Sequence, residues 1–250
     1  AQEAKEYKMA NDGEQTLWTG TSFSGMPLYQ TGMRSKTNLI TYVDKFIKMG
    51  LPRPLDKLFL YLIGFYILLL TLKINYRVAI VGSIGYAFCS FVFISIGAGH
   101  ATKVLAMGYM PLVIASVLYT FNSKRWVLGS LFTSLSVALQ LLANHYQISY
   151  YTAILLLIIG VVQLVKEIKL GTLPNFFKRS GALLVAALLA LATNYTVFST
   201  TLEYSKVSQR APSELVTTDG QQKDDGMSFE YITEHSYGID ETLTFLIPNF

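Results

Sequence analysis

The sequence predicts an all-α integral membrane protein with about six transmembrane helices and an extracytoplasmic loop carrying an interfacial amphipathic helix. Three observations carry this expectation. Charged residues make up only 14% of the 250 positions, where a soluble domain carries roughly 25%. The mean hydropathy is +0.39. The missing charge is also clustered: Asp, Glu, Lys and Arg are absent over 58–72, 78–102, 104–123, 126–165 and 180–202. A bilayer core needs about 20 apolar residues per helix, and tilt or snorkelling tolerates somewhat fewer.

The chain divides into an extracytoplasmic loop (1–54), a six-helix transmembrane region (55–202) and a polar extracytoplasmic segment (203–250). The first part is polar and turn-rich up to residue 35, with Gly, Pro and Ser in "TSFSGMPLYQTG". Residues 37–49, "TNLITYVDKFIKM", place Leu39, Val43, Phe46 and Ile47 on one helical face and Asp44, Lys45 and Lys48 away from it. Thr37 or Asn38 caps the start and Gly50 the end. This pattern predicts an amphipathic helix in the membrane interface, or on a small soluble subdomain, followed by a "PRP" break.

Six spans follow, over 55–73, 78–97, 104–121, 126–142, 148–165 and 181–202. The window 126–165 is too long for one helix: forty residues at 1.5 Å each reach about 60 Å, twice the hydrocarbon thickness. The chain is expected to fold back at Asn144–Gln147, in "LLANHYQISYYT". The tail 203–250 opens with a loop, "APSELVTTDGQQKDDG", and returns to aromatic and aliphatic residues.

Basic residues orient the spans. With 1–54 outside, the inner loops hold Lys73, Arg77, Lys124, Arg125, Lys166, Lys169, Lys178 and Arg179, whereas the short outer loops hold only Lys103. All three histidines, His100, His145 and His235, then fall on the extracytoplasmic side. The basic residues border the spans and form no stripe, so nucleic acid is not expected as a partner. Cys89 is alone, and no Walker, GxGxxG, CxxC or HExxH motif occurs.

Ionisable groups at membrane depth are candidates for function. His100 and Lys103 form either an interfacial turn with a snorkelling Lys or an anion site for a phosphate head group. Asn144, His145 and Gln147 either cap helix ends or wall a polar cavity. Glu203, Tyr204, Lys206 and Arg210 follow the last span as a solvated helix end or as site residues. Glu230, Glu234, His235, Asp240 and Glu241 lack zinc-ligand spacing, so no metal is assigned; any of these carboxylates can serve as a general base near an acceptor hydroxyl.

Four ordered motifs, "LWTGTSFSGMPLYQ", "GHATKVLAMGYMPLV", "LQLLANHYQISYYTA" and "SYGIDETLTFLIPNF", resemble the YfhO family of bacterial membrane proteins in its Bacteroidetes-type form. That family is similar to the C-type superfamily of integral-membrane glycosyltransferases. The resemblance implies transfer of a sugar from a polyprenyl-phosphate carrier to an extracytoplasmic cell-envelope glycan or lipid acceptor, at the bacterial inner (cytoplasmic) membrane. It also implies an early portion of a longer protein, with the main catalytic acid upstream of Ala1 and Asp12 and Glu14 poor substitutes for it. His145 and Glu241 are the catalytic candidates it leaves here. His100, Lys103, Asn144, Gln147, Arg210 and Tyr237 would bind substrate, the cations holding the carrier phosphate. No cofactor is expected, and divalent-metal use stays open. Two other classes fit the same pattern: a transporter or flippase of lipid-linked sugars, and a non-catalytic envelope-assembly protein.

Overall fold

A computed structural model describes residues 18–19, 25–27 and 38–206, together with isolated positions 229, 233, 234, 236, 238 and 243. Near the start, β1 (Trp18–Thr19) pairs antiparallel with β2 (Met26–Pro27) in the register Trp18↔Pro27 and Thr19↔Met26. Gly25 has φ +121, and a Cβ there would meet the Trp18 indole at 2.9 Å, so glycine permits this close approach.

The rest is helical: α1 (Ile40–Ile47), α2 (Leu55–Thr71), α3 (Tyr76–Ala87), α4 (Ser90–Gly97), α5 (Ala101–Asn122), α6 (Trp126–Leu142), α7 (Tyr146–Lys169), α8 (Leu173–Thr193) and α9 (Tyr195–Ser205). Four segments are long and apolar enough to cross a membrane: Tyr76–Gly97, Ala101–Asn122, Tyr146–Lys169 and Leu173–Thr193. Trp126–Leu142 is apolar but shorter. The 126–165 window folds back as its length requires, through a turn at 143–145.

Three boundaries differ from the sequence expectation. The segment 78–97 breaks at Phe88–Cys89, where Cys89 turns extended (φ −67, ψ 147) before α4. α8 starts at Leu173 instead of 181, with Pro174 in its first turn, where a missing N–H costs nothing. It stops at Asn194, and α9 is a separate helix. The chain divides into two compact units at Tyr195/Thr196. In the second unit, the start of α9 is tied by Thr200 Oγ1 donating to the Thr196 carbonyl at 2.8 Å.

Within the first unit, α5 is the centre, packed against α2 and α6 and also touched by α4, α7 and α8. Gly108 explains the close α2–α5 crossing: a Cβ there would meet Leu60 Cδ2 at 2.8 Å. Pro111 lies inside α5 and lacks the N–H that would reach the Met107 carbonyl. Tyr86 OH donates to that carbonyl at 3.4 Å instead. Nearby, Tyr61 OH donates to Val104 O at 2.9 Å, and Gln140 Nε2 to Ala106 O at 3.2 Å. Hydrocarbon offers the Met107 carbonyl no partner, so α3 supplies one, while α2 and α6 add bonds to two further carbonyls of α5.

The two ends of this unit differ chemically. At one end, Lys166 donates to Asn122 Oδ1 at 2.9 Å, Arg179 pairs with Glu167 at 3.8 Å, and the Lys178 ammonium lies 4.8 Å from the Trp126 ring centre. The opposite end gathers α1, the starts of α2, α5 and α7, and the ends of α6 and α8. There Asn38 Nδ2 donates to Thr193 O at 3.1 Å, and the buried Asn194 donates to Ala138 O at 3.1 Å.

Candidate functional site

α1 forms where expected, and the Asn38 side chain accepts from Ile40 N at 3.0 Å to cap its start. Its orientation is the correction. Asp44 is fully buried and Lys48 nearly so, while Leu39 and Phe46 are 76% and 84% exposed. The expected apolar face is split. Ile40, Val43 and Ile47 pack on the core formed by Leu60, Leu105, Tyr109 and Leu139, whereas Leu39, Tyr42, Phe46 and Met49 point outward.

The cause is a buried charge network that composition could not foretell. Tyr109 OH donates to Asp44 Oδ1 at 2.5 Å, and Lys48 Nζ lies 2.7 Å from Asp44 Oδ2 and 3.6 Å from Asp56 Oδ2. Lys57 Nζ stands 3.9 Å from Asp56 Oδ1. Buried ions are tolerated when paired and hydrogen-bonded. The network therefore ties α1 to α2 across the "MGLPRP" connection and to α5 through Tyr109.

Beside this lies the meeting of the two polar turns. Gly99 takes φ +77, His100 precedes the first residue of α5, and Lys103 sits in its first turn. Asn144 takes φ +54 after α6, a left-handed conformation that Asn tolerates better than most residues. His145 precedes α7 without a side-chain capping bond. Its imidazole Nδ1 lies 3.5 Å from Thr102 Oγ1, which joins the α5 and α7 starts.

His145 is half-buried, and its pKa lies below the ordinary 6.5. Burial is the first cause, followed by the positive charge of Lys103 and of His100. Lys103 and His100 thus lie near enough to His145 for their charge to disfavour its protonation. Such a cluster favours an anion. Lys103 also lies 5.0 Å from the Phe91 ring centre, a contact that holds its ammonium on the α4 side. Gln147 is exposed and donates to Tyr151 OH at 2.9 Å, one turn along α7.

The structure therefore brings His100, Lys103 and His145 together, with Asn144 shaping the turn and Gln147 on the α7 rim. Arg210, His235, Tyr237 and Glu241 lie outside the described residues. Thr102, and the Asp44, Lys48, Asp56, Lys57 and Tyr109 network, had escaped sequence reasoning. A cue was present: two acids and three lysines within 44–57, beside "LITYV" and "LFLYL".

No protein-family model matches the chain, and neither a curated protein nor a solved structure matches it. The resemblance to the YfhO family rests on its four motifs alone.

Proposed function

We propose that the chain is the membrane-embedded part of a glycosyltransferase-like protein that takes a sugar from a polyprenyl-phosphate carrier and passes it to an envelope glycan or lipid acceptor on the extracytoplasmic face. The observation that carries this is the approach of Thr102 to His145 at 3.5 Å, beside Lys103 and His100. Lys103 and the two imidazoles would hold the carrier phosphate and stabilise it as the leaving group when the glycosidic bond breaks. Glu241 remains the candidate contact to sugar or acceptor.

Six spans fit this reading. α2 and α6 have 17 residues each and reach about 26 Å, at the short end of what a bilayer accepts. α3 and α4 together make one broken span. The excess of basic residues at the far end of the bundle supports an outside site under the positive-inside rule. Catalysis is favoured over carriage because three buried threonine hydroxyls of α5, α6 and α7 donate to their own helices: Thr120 to Ser116 O at 2.8 Å, Thr133 to Gly129 O at 3.0 Å and Thr152 to Ile148 O at 2.8 Å. These three bonds each stay within a single helix.

The test is a transfer assay on the full-length protein with radiolabelled polyprenyl-phosphate sugars, comparing wild type with His145→Ala, Lys103→Ala and Glu241→Ala. Loss of transfer in these variants supports the proposal. Wild-type rates in all three would overturn it, and donor movement across the bilayer without transfer would make the protein a flippase.

A further inference from the structure

We propose that a second lipid site lies beneath α1: a groove between α2 and α6 that takes one hydrocarbon chain of an anionic bilayer phospholipid, with its phosphate on Lys45. The groove encloses about 970 Å³, at the upper end of the ~300–1,000 Å³ typical of small-molecule sites. Phe59, Ile63 and Ile67 wall it along α2, and Phe132 and Leu139 along α6, with Leu112 of α5 between them. Phe59 and Ile67 are eight helical steps apart, about 12 Å of continuous apolar wall. That shape suits an extended chain more than a compact ligand.

The mouth identifies the head group. Lys45 is the one charged side chain among the described residues lining the groove. Asp44 and Asp56 are buried in the network with Lys48, while Lys45 and Arg53 remain exposed. Around α1 the exposed charges Lys45 and Arg53 are therefore cationic and the acids hidden, which complements an anionic head group. Phe46 and Met49 at the rim are 84% and 69% exposed, and Ile67 and Phe132 lower down are 39% and 50% exposed. The rim thus continues into the apolar surface of the spans, and a chain can enter sideways from the bilayer.

This site is separate from the proposed carrier site. Leu112 and Lys103 are nine residues apart on α5, which puts them about 180° apart around the helix. A lipid in the groove and an anion at Lys103 occupy opposite sides of α5.

Native mass spectrometry of the full-length purified protein tests this, with phosphatidylglycerol, phosphatidylcholine and polyprenyl monophosphate added in competition. One phosphatidylglycerol should be retained over phosphatidylcholine. Lys45→Glu should weaken retention at least tenfold, and Ser136→Leu, which narrows the groove, should also lose it. Lys124→Glu, a matched charge change at the other end, and His145→Ala should keep it. Circular dichroism checks that each variant is folded. Equal retention by wild type and Lys45→Glu, or an equal loss in Lys124→Glu, would overturn the proposal. Displacement by equimolar polyprenyl monophosphate would assign the groove to the carrier and overturn it as a phospholipid site.

Discussion

The Tyr109 hydroxyl lies 2.5 Å from Asp44 Oδ1, joining the centre of the bundle to a helix 65 residues earlier in the chain. Both side chains are completely buried. Hydrogen bonds to a charged group contribute about 1.5–3 kcal/mol. Tyr109→Phe should therefore lower stability by about that amount, read as a fall in the melting temperature of the detergent-purified protein. Asp44→Ala should cost more, about 3–5 kcal/mol, because Lys48 loses its nearest carboxylate. If both variants melt with wild type, α1 is not docked through this network.

Gly108→Val probes the α2–α5 crossing. The added Cβ would fall 2.8 Å from Leu60 Cδ2 and 3.0 Å from Tyr61 Cε2. Overpacking of this kind costs about 1–3 kcal/mol. Gly160→Val, where a Cβ meets nothing within 4 Å, is the control and should melt close to wild type. The same comparison of melting temperatures decides the outcome.

Orientation has its own check. Single cysteines at Gln147 and Lys124, both exposed, replace Cys89 in a cysteine-free background. A membrane-impermeant maleimide applied to intact cells should label position 147 and leave 124 untouched. The reverse pattern would invert the topology and move the His145 site to the cytoplasm.

The pH dependence of stability should carry a signature of His145. Its folded-state pKa lies below 6.5, so between the two values the unfolded chain binds more protons. The stability from neutral His145 is present above pH 6.5 and is lost as pH falls through the folded-state value. Thermal melts between about pH 8 and pH 5 should show wild type losing more stability on acidification than His145→Gln. Parallel curves would mean the imidazole titrates as in the unfolded chain.

Much of this fold is legible in the sequence because span length is a hard constraint. Forty charge-free residues cannot form one membrane helix, so the turn at 143–145 follows from arithmetic. The break at Phe88–Cys89 is different: its neighbours are apolar, with neither Pro nor Gly at the joint, so periodicity runs through it unmarked. The outward face of α1 was also hidden. Its helix carries apolar residues on two sides, and only the distant partner Tyr109 decides which side is buried. At the candidate site, the polar residues of each turn stood out by their cost in an apolar run, but their approach depends on how α5 and α7 pack. Local sequence holds no record of that.

The central claim is that the turns holding Lys103 and His145 form one anion site. Its most direct test is the titration of the His145 imidazole, followed by NMR of selectively labelled full-length protein in lipid nanodiscs with and without polyprenyl monophosphate. Burial and then the nearby cations hold the pKa down, and a bound phosphate would offset the cations, so the His145 midpoint should move upward on binding and Lys103→Ala should weaken binding of the ligand that causes the shift. A midpoint unchanged at saturating ligand would contradict the account.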